Sequence, residues 1–228
     1  MRAAAARPKP TSPMDRSQTR KLPGRSRPLE ADVEGRLAFH PFNVIMILTL
    51  VGIAVLFLAF SGAFIYSRIQ AQLPPVDVPL MFIANTFVLL GSSYTIHLAK
   101  RAYKADDTDG YKRALVYTMG LSVVFLVLQV IAWQLLFADN ILPSTDNSAG
   151  YLYVLSGLHF AHVIAGLPFI VGFWWAARKR MREPVSVLVY FSDPDKRLKL
   201  RMLTMYWHFM DALWIYLVVF LLVNRLLY

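Results

Sequence analysis

Five stretches of this chain, residues 42–66, 78–98, 114–137, 151–177 and 202–222, run almost without charge. Each reaches the roughly 20 residues needed to cross a hydrocarbon core about 30 Å thick at about 1.5 Å per residue. Burial of all five inside a water-soluble domain is a poor alternative. With 57% hydrophobic residues in 228, too little polar face remains to meet water. The expected fold is therefore all-α, a polytopic membrane helix bundle with five transmembrane helices.

The net charge of +10 invites a nucleic-acid reading, but the distribution of charge argues against it. Nine of the 24 Lys and Arg precede the first span, five lie between the second and third, and eight between the fourth and fifth. Only Arg68 and Arg225 fall in the alternate segments. So strong a bias toward one side predicts a cytoplasmic N-terminus and a periplasmic C-terminus. The basic segments are expected at anionic headgroups or acidic partner loops. Nucleic acid is not an expected partner, because the aromatic residues that would stack on bases lie within spans. The chain has no cysteine, which excludes disulfides, thiolate metal sites, iron–sulfur ligation and thioether-linked haem.

Residues 1–36 hold prolines and alternating basic residues with little apolar surface, and read as a disordered basic cytoplasmic tail. Residues 37–228 form the membrane domain. Pro74-Pro75 marks the first external connection. Asp106, Asp107, Asp109 and Gly110 form a turn between spans two and three, and Pro143 to Asn147 a second turn after span three. The long basic loop 178–201 contains an apolar piece, 185–191. That piece is too short to cross, and is expected to lie along the interface or to dock on another subunit.

Polar residues inside the spans are the candidate site. Span two carries Asn85, Thr86, Ser92 and Ser93, and span three Gln129. These residue types bond across helix contacts, at about 0.6 kcal/mol each. Span four holds His159 and His162, three residues apart on one face, with Gly157, Ala161, Ala165 and Gly166 suited to close helix packing. Pro168 is expected to bend this helix. Span five holds Trp207, His208, Asp211 and Trp214; Asp211 is the only acid in any span. A carboxylate at membrane depth normally faces the protein interior with a partner or a task. Tyr206 and Trp207 read as interfacial anchors. Three imidazoles and a carboxylate would suit a transition metal, or a haem held by two histidines. Equally, they would suit interhelical or lipid contacts, or a proton relay.

At these residues the sequence resembles subunit III of the haem–copper terminal oxidases, in its short five-helix form. Span four matches G-x-H-x-x-H-V-x-x-G through Gly157, His159, His162, Val163 and Gly166. Span five matches Y-W-H-F-x-D-x-x-W through Tyr206, Trp207, His208, Phe209, Asp211 and Trp214. Span two matches N-T-x-x-L-L-x-S-S-x-T from Asn85 to Thr95, and Gly120 and Gln129 fit span three.

The resemblance implies a non-redox accessory subunit of a proton-pumping oxygen reductase in a prokaryotic inner membrane. It implies no catalytic centre, metal or cofactor in this chain; haem and copper belong to partner subunits. Subunit I would be the main contact, with subunit II and other respiratory subunits nearby, and phospholipid would be bound. His159, His162, His208, Asp211, Trp207, Trp214, Asn85, Thr86, Ser92, Ser93 and Gln129 would serve lipid or interhelical contacts, with His208 and Asp211 linked to each other. Many relatives carry a carboxylate in the helix corresponding to span one. Residues 42–66 contain none, which weakens a proton-antenna role. Three alternatives stand beside this reading. They are an accessory subunit of a nitric oxide reductase, a self-contained metal enzyme using His159, His162, His208 and Asp211, and, weakest, a transporter.

Overall fold

The computed structural model describes residues 41–72, 79–181 and 184–226, with the backbone alone at 184, 185, 188 and 189. The tail of residues 1–36 and the Pro74-Pro75 connection lie outside them. Among the described residues there are six helices and no strand: α1 (Pro41–Ala71), α2 (Leu80–Lys104), α3 (Thr108–Ala138), α4 (Asn147–Arg180), α5 (Pro184–Ser192) and α6 (Pro194–Leu226). All but α5 are long and apolar enough to span a membrane. The chain is an all-helical bundle with five spanning helices.

Those helices overrun the apolar stretches. α6 begins at Pro194 rather than at 202, and its first turns carry Lys196, Arg197, Lys199 and Arg201. Proline suits the first helical position, and Lys and Arg are good helix formers. Charge therefore marks where the helix leaves hydrocarbon, while the helix itself continues. α4 likewise extends through Arg178, Lys179 and Arg180, and runs unbroken through Pro168. The polar connections are caps. Asp107 accepts from the Gly110 amide at 2.9 Å, and Asp146 from the Ala149 amide at 2.7 Å, satisfying first-turn donors of α3 and α4. Asp106 and Asn140 take left-handed conformations (φ 55° and 59°) just past α2 and α3, a region that Asp and Asn tolerate.

α2 and α3 form the most extensively packed pair. α6 lies against α2 and α4, α4 against α3 and α1, and α1 has the thinnest cover. Two buried apolar clusters result. The outer one joins Phe57, Phe82, Leu89, Phe125, Val163, Met210 and Trp214. The other, toward the basic ends of the helices, joins Ile96, Tyr103, Tyr111, Leu115, Ile170, Tyr190, Phe191 and Trp207.

The apolar piece 185–191 is part of α5, and it docks on its own chain. Tyr190 and Phe191 are buried. The Phe191 ring meets Tyr103 at 5.0 Å and Tyr111 at 6.3 Å, both edge-on. The Tyr103 hydroxyl donates to the Tyr190 carbonyl at 3.1 Å. Lys196 closes the far side, 2.8 Å from the Asp193 carboxylate and 4.3 Å from the Tyr190 ring centroid. Its hydrogen bond holds the Asp193 carboxyl below the usual range. Removing a buried Phe ring costs about 3 kcal/mol. Phe191→Ala should therefore release α5 and expose residues 181–193 to limited proteolysis while the spanning helices stay protected.

Candidate functional site at the polar waist

Between the two apolar clusters lies a layer of polar side chains. On α2, Ser92 and Ser93 fall between Leu89 of the outer cluster and Ile96 of the basic-end cluster. On α6, His208 and Asp211 follow Trp207 and flank Met210. Helical periodicity turns each of these toward a neighbouring helix.

The bonds run mostly between helices. From α6, Trp207 Nε1 donates to Ser92 Oγ at 2.8 Å and Trp214 Nε1 to Thr86 Oγ1 at 3.2 Å. His208 Nδ1 lies 2.7 Å from Ser93 Oγ. Rising numbers on α6 meet falling numbers on α2, the register of an antiparallel pair. α2 and α3 are joined by Asn85 Nδ2, which donates to Gln129 Oε1 at 3.0 Å, and by the Thr95 and Thr118 hydroxyls at 2.8 Å. Trp133 Nε1 donates to Ser156 Oγ at 3.0 Å, joining α3 to α4. The Tyr206 hydroxyl donates to the His162 carbonyl at 2.7 Å, joining α6 to α4. Tyr206 and Trp207 thus face neighbouring helices: Trp207 is only 2% exposed, packed at Gly166 and bonded to Ser92, and α6 begins more than three turns earlier.

The histidines part company. His159 is fully buried, edge-on to Phe125 at 5.6 Å and tilted on Trp214 at 4.9 Å. Neither of its ring nitrogens has a hydrogen-bond partner. His162 donates from Nδ1 to the Leu158 carbonyl of its own helix at 2.7 Å. Asp211 is 4% exposed, and neither carboxyl oxygen is hydrogen-bonded among the described residues. Ser93 sits close enough to interact with it, but the geometry falls short of a bond on either oxygen. The expected local link between His208 and Asp211 is replaced by the reach of His208 to Ser93. Among the described residues no three His, Asp or Glu side chains converge as metal ligands. The four-residue metal constellation His159, His162, His208 and Asp211 is therefore not assembled.

The small residues of α4 divide in the same way. A Cβ on Gly166 would come within 2.9 Å of both the Trp207 and Tyr206 rings, so only glycine allows α6 this close. A Cβ on Gly157 would meet nothing within 4 Å, and Ala161 and Ala165 are exposed. Among the described residues the close approach on this helix is made at Gly166.

One feature escaped the sequence reading. Trp174, Trp175, Arg178 and Lys179 line an open recess of about 370 Å³ at the basic end of α4, with the Arg178 guanidinium 5.2 Å from the Trp174 ring centroid. The signal was present as an aromatic pair one turn before a basic cluster, the pattern of a membrane interface.

Two substitutions separate the faces of α4. Gly166→Val should lower stability by about 1–3 kcal/mol through overpacking, whereas Ala161→Val should stay within about 0.5 kcal/mol; thermal unfolding in mild detergent compares them. A double-mutant cycle of Ser92→Ala with Trp207→Phe should return a coupling near about 0.6 kcal/mol.

Comparison with known proteins identifies the family. The family profile described as cytochrome c oxidase subunit III matches residues 36–224. A protein named cytochrome c oxidase subunit 3 from Thermostichus vulcanus is 31% identical over 184 residues, covering 78% of this chain and 86% of that one. Its namesake from Synechocystis is 29% identical over 186 residues, covering 79% and 74%. A probable cytochrome c oxidase subunit 3 from Rickettsia prowazekii is 28% identical over 149 residues, covering 64% and 48%. With the profile spanning nearly all of the described bundle, this chain belongs to the cytochrome c oxidase subunit III family.

Proposed function

We propose that this chain is the non-redox accessory subunit of a proton-pumping oxygen reductase in a prokaryotic plasma membrane. It stabilises the catalytic subunit I, binds phospholipid and supports proton uptake. The basic ends of the helices face the cytoplasm and the C-terminus faces the periplasm, as the distribution of Lys and Arg favours.

The observation that carries this reading is the direction of the intramembrane polar groups. Ser92, Ser93, Thr86, Asn85 and Gln129 are committed to neighbouring helices of the same chain. Such a bundle is built to hold its shape beside a partner. Long apolar faces remain uncovered, with Val51, Val55 and Leu58 on α1 and Phe87 on α2 more than half exposed. These faces suit lipid tails and the helices of subunits I and II.

Phospholipid binding finds support at the Trp174–Arg178 recess rather than at His159, which is sealed within the bundle. Indole rings favour the headgroup level, and a Lys or Arg near an anionic surface contributes about 1 kcal/mol.

Two experiments test the reading. An oxidase purified without this chain should reduce oxygen at close to its normal initial rate but inactivate several-fold sooner in turnover. Immediate loss of haem-centred activity would refute the assignment. Arg178→Ala with Lys179→Ala should weaken the chain's preference for anionic over zwitterionic nanodisc lipid by roughly fivefold per charge removed. An unchanged preference would remove the recess from the lipid role.

A further inference from the structure

Asp211 is the one ionisable group of the waist for which the bundle supplies neither a hydrogen bond nor an aromatic sandwich. It lies ten residues along α6 from Arg201, the last basic residue of that end, which places it about 15 Å inside the bundle at 1.5 Å per residue. The Ser93 hydroxyl is 2.7 Å from His208 Nδ1, and Asp211 follows His208 by three residues on the same face of α6, with neither carboxyl oxygen bonded among the described residues. His208 is half-buried. Ser93, His97 and Lys100 recur at helical spacing on one face of α2. His97 is exposed. Ionisable side chains of α2 and α6 therefore lead from the basic end to a carboxyl at the middle of the bundle.

Among the described residues, the ionisable groups on the other helices packed around α6 are few. From α4 come His159, tilted on Trp214, and His162, bonded to its own helix. α1 carries no charged residue except Arg68 at its far end, and the charges of α3 are confined to Asp109, Lys112 and Arg113 in its first turns.

We propose that Asp211 is a proton-exchange site in the bundle interior, loaded and emptied from the basic end through His208 and Ser93. This goes beyond the accessory role and holds whichever complex the chain joins. The step conserves atoms and needs no co-reactant. A proton arrives at His208 Nε2; Nδ1–H then donates its proton to Ser93 Oγ, and the hydroxyl passes its own hydrogen to an Asp211 oxygen. The carboxylate becomes a carboxylic acid, and His208 is left neutral with its hydrogen on Nε2. Release runs the same exchange backwards.

The test is infrared spectroscopy of the full chain in phospholipid nanodiscs during perfusion with heavy water. A carboxylic-acid carbonyl band should be present in the wild type and absent in Asp211→Asn, and it should shift as deuterium exchanges in. Ser93→Ala and His208→Phe should each slow that shift by at least about tenfold, the effect of roughly 1.4 kcal/mol on a barrier, and Ser93→Thr should restore it. Should His208→Phe fail to fold, His208→Gln, which removes the titrating ring at similar length, takes its place with the same expectation. Three results overturn the proposal: no Asp211 carbonyl band at any pH at which the chain stays folded, a band that never exchanges, or exchange as fast in the Ser93 and His208 variants as in the wild type.

Discussion

Hydrocarbon offers no hydrogen bond, so a polar side chain within a span must find its partner on its own helix or on another one. That constraint organises this bundle. α6 presents Trp207, His208 and Trp214 along one face, and α2 answers with Ser92, Ser93 and Thr86. None of these contacts is strong, at about 0.6 kcal/mol apiece. Their effect is on register, since sliding α6 by one residue would rotate all three side chains away together. Close apolar packing supplies most of the cohesion. Trp214 stacks on Phe82 at 5.5 Å and meets Phe125 edge-on at 5.1 Å.

The number of spans and the all-helical class were legible, because a hydrocarbon core imposes length and hydropathy directly on sequence. The helix ends were not. Lys196 to Arg201 look like loop on any hydropathy argument, yet they propagate a helix that began at Pro194. The short segment of α5 was harder still. Val185, Val187 and Val189 carry poor intrinsic helix propensity, and the burial of Phe191 against Tyr103 and Tyr111 comes from tertiary packing.

Sequence also named most residues of the waist but not who meets whom. Spacing puts His208 and Asp211 on one face of α6, which invites a local link; only the placement of α2 shows Ser93 taking up His208 instead. Tyr206 and Trp207 carry the residue types of interfacial anchors, and nothing in their order reveals that Gly166 opens α4 for them. In the same way, three small residues four apart on α4 cannot announce whether their strip faces inward. Here Gly166, one position beyond Ala165, makes the close approach.

Stability does not account for every member of the waist. An imidazole can be held by its faces, and His159 is, between Phe125 and Trp214. A carboxyl has no such faces and depends on donors, which this bundle withholds from Asp211. Exchanging a buried ionisable group for an apolar one of similar size is often neutral or stabilising, so cohesion alone gives no reason for an acid at this position. What the surroundings do provide is an imidazole one helical turn away, bonded to a hydroxyl of α2 and in line with that helix's basic end. Side chains arranged that way around an otherwise unsupported acid favour movement of a proton over the strength of any contact.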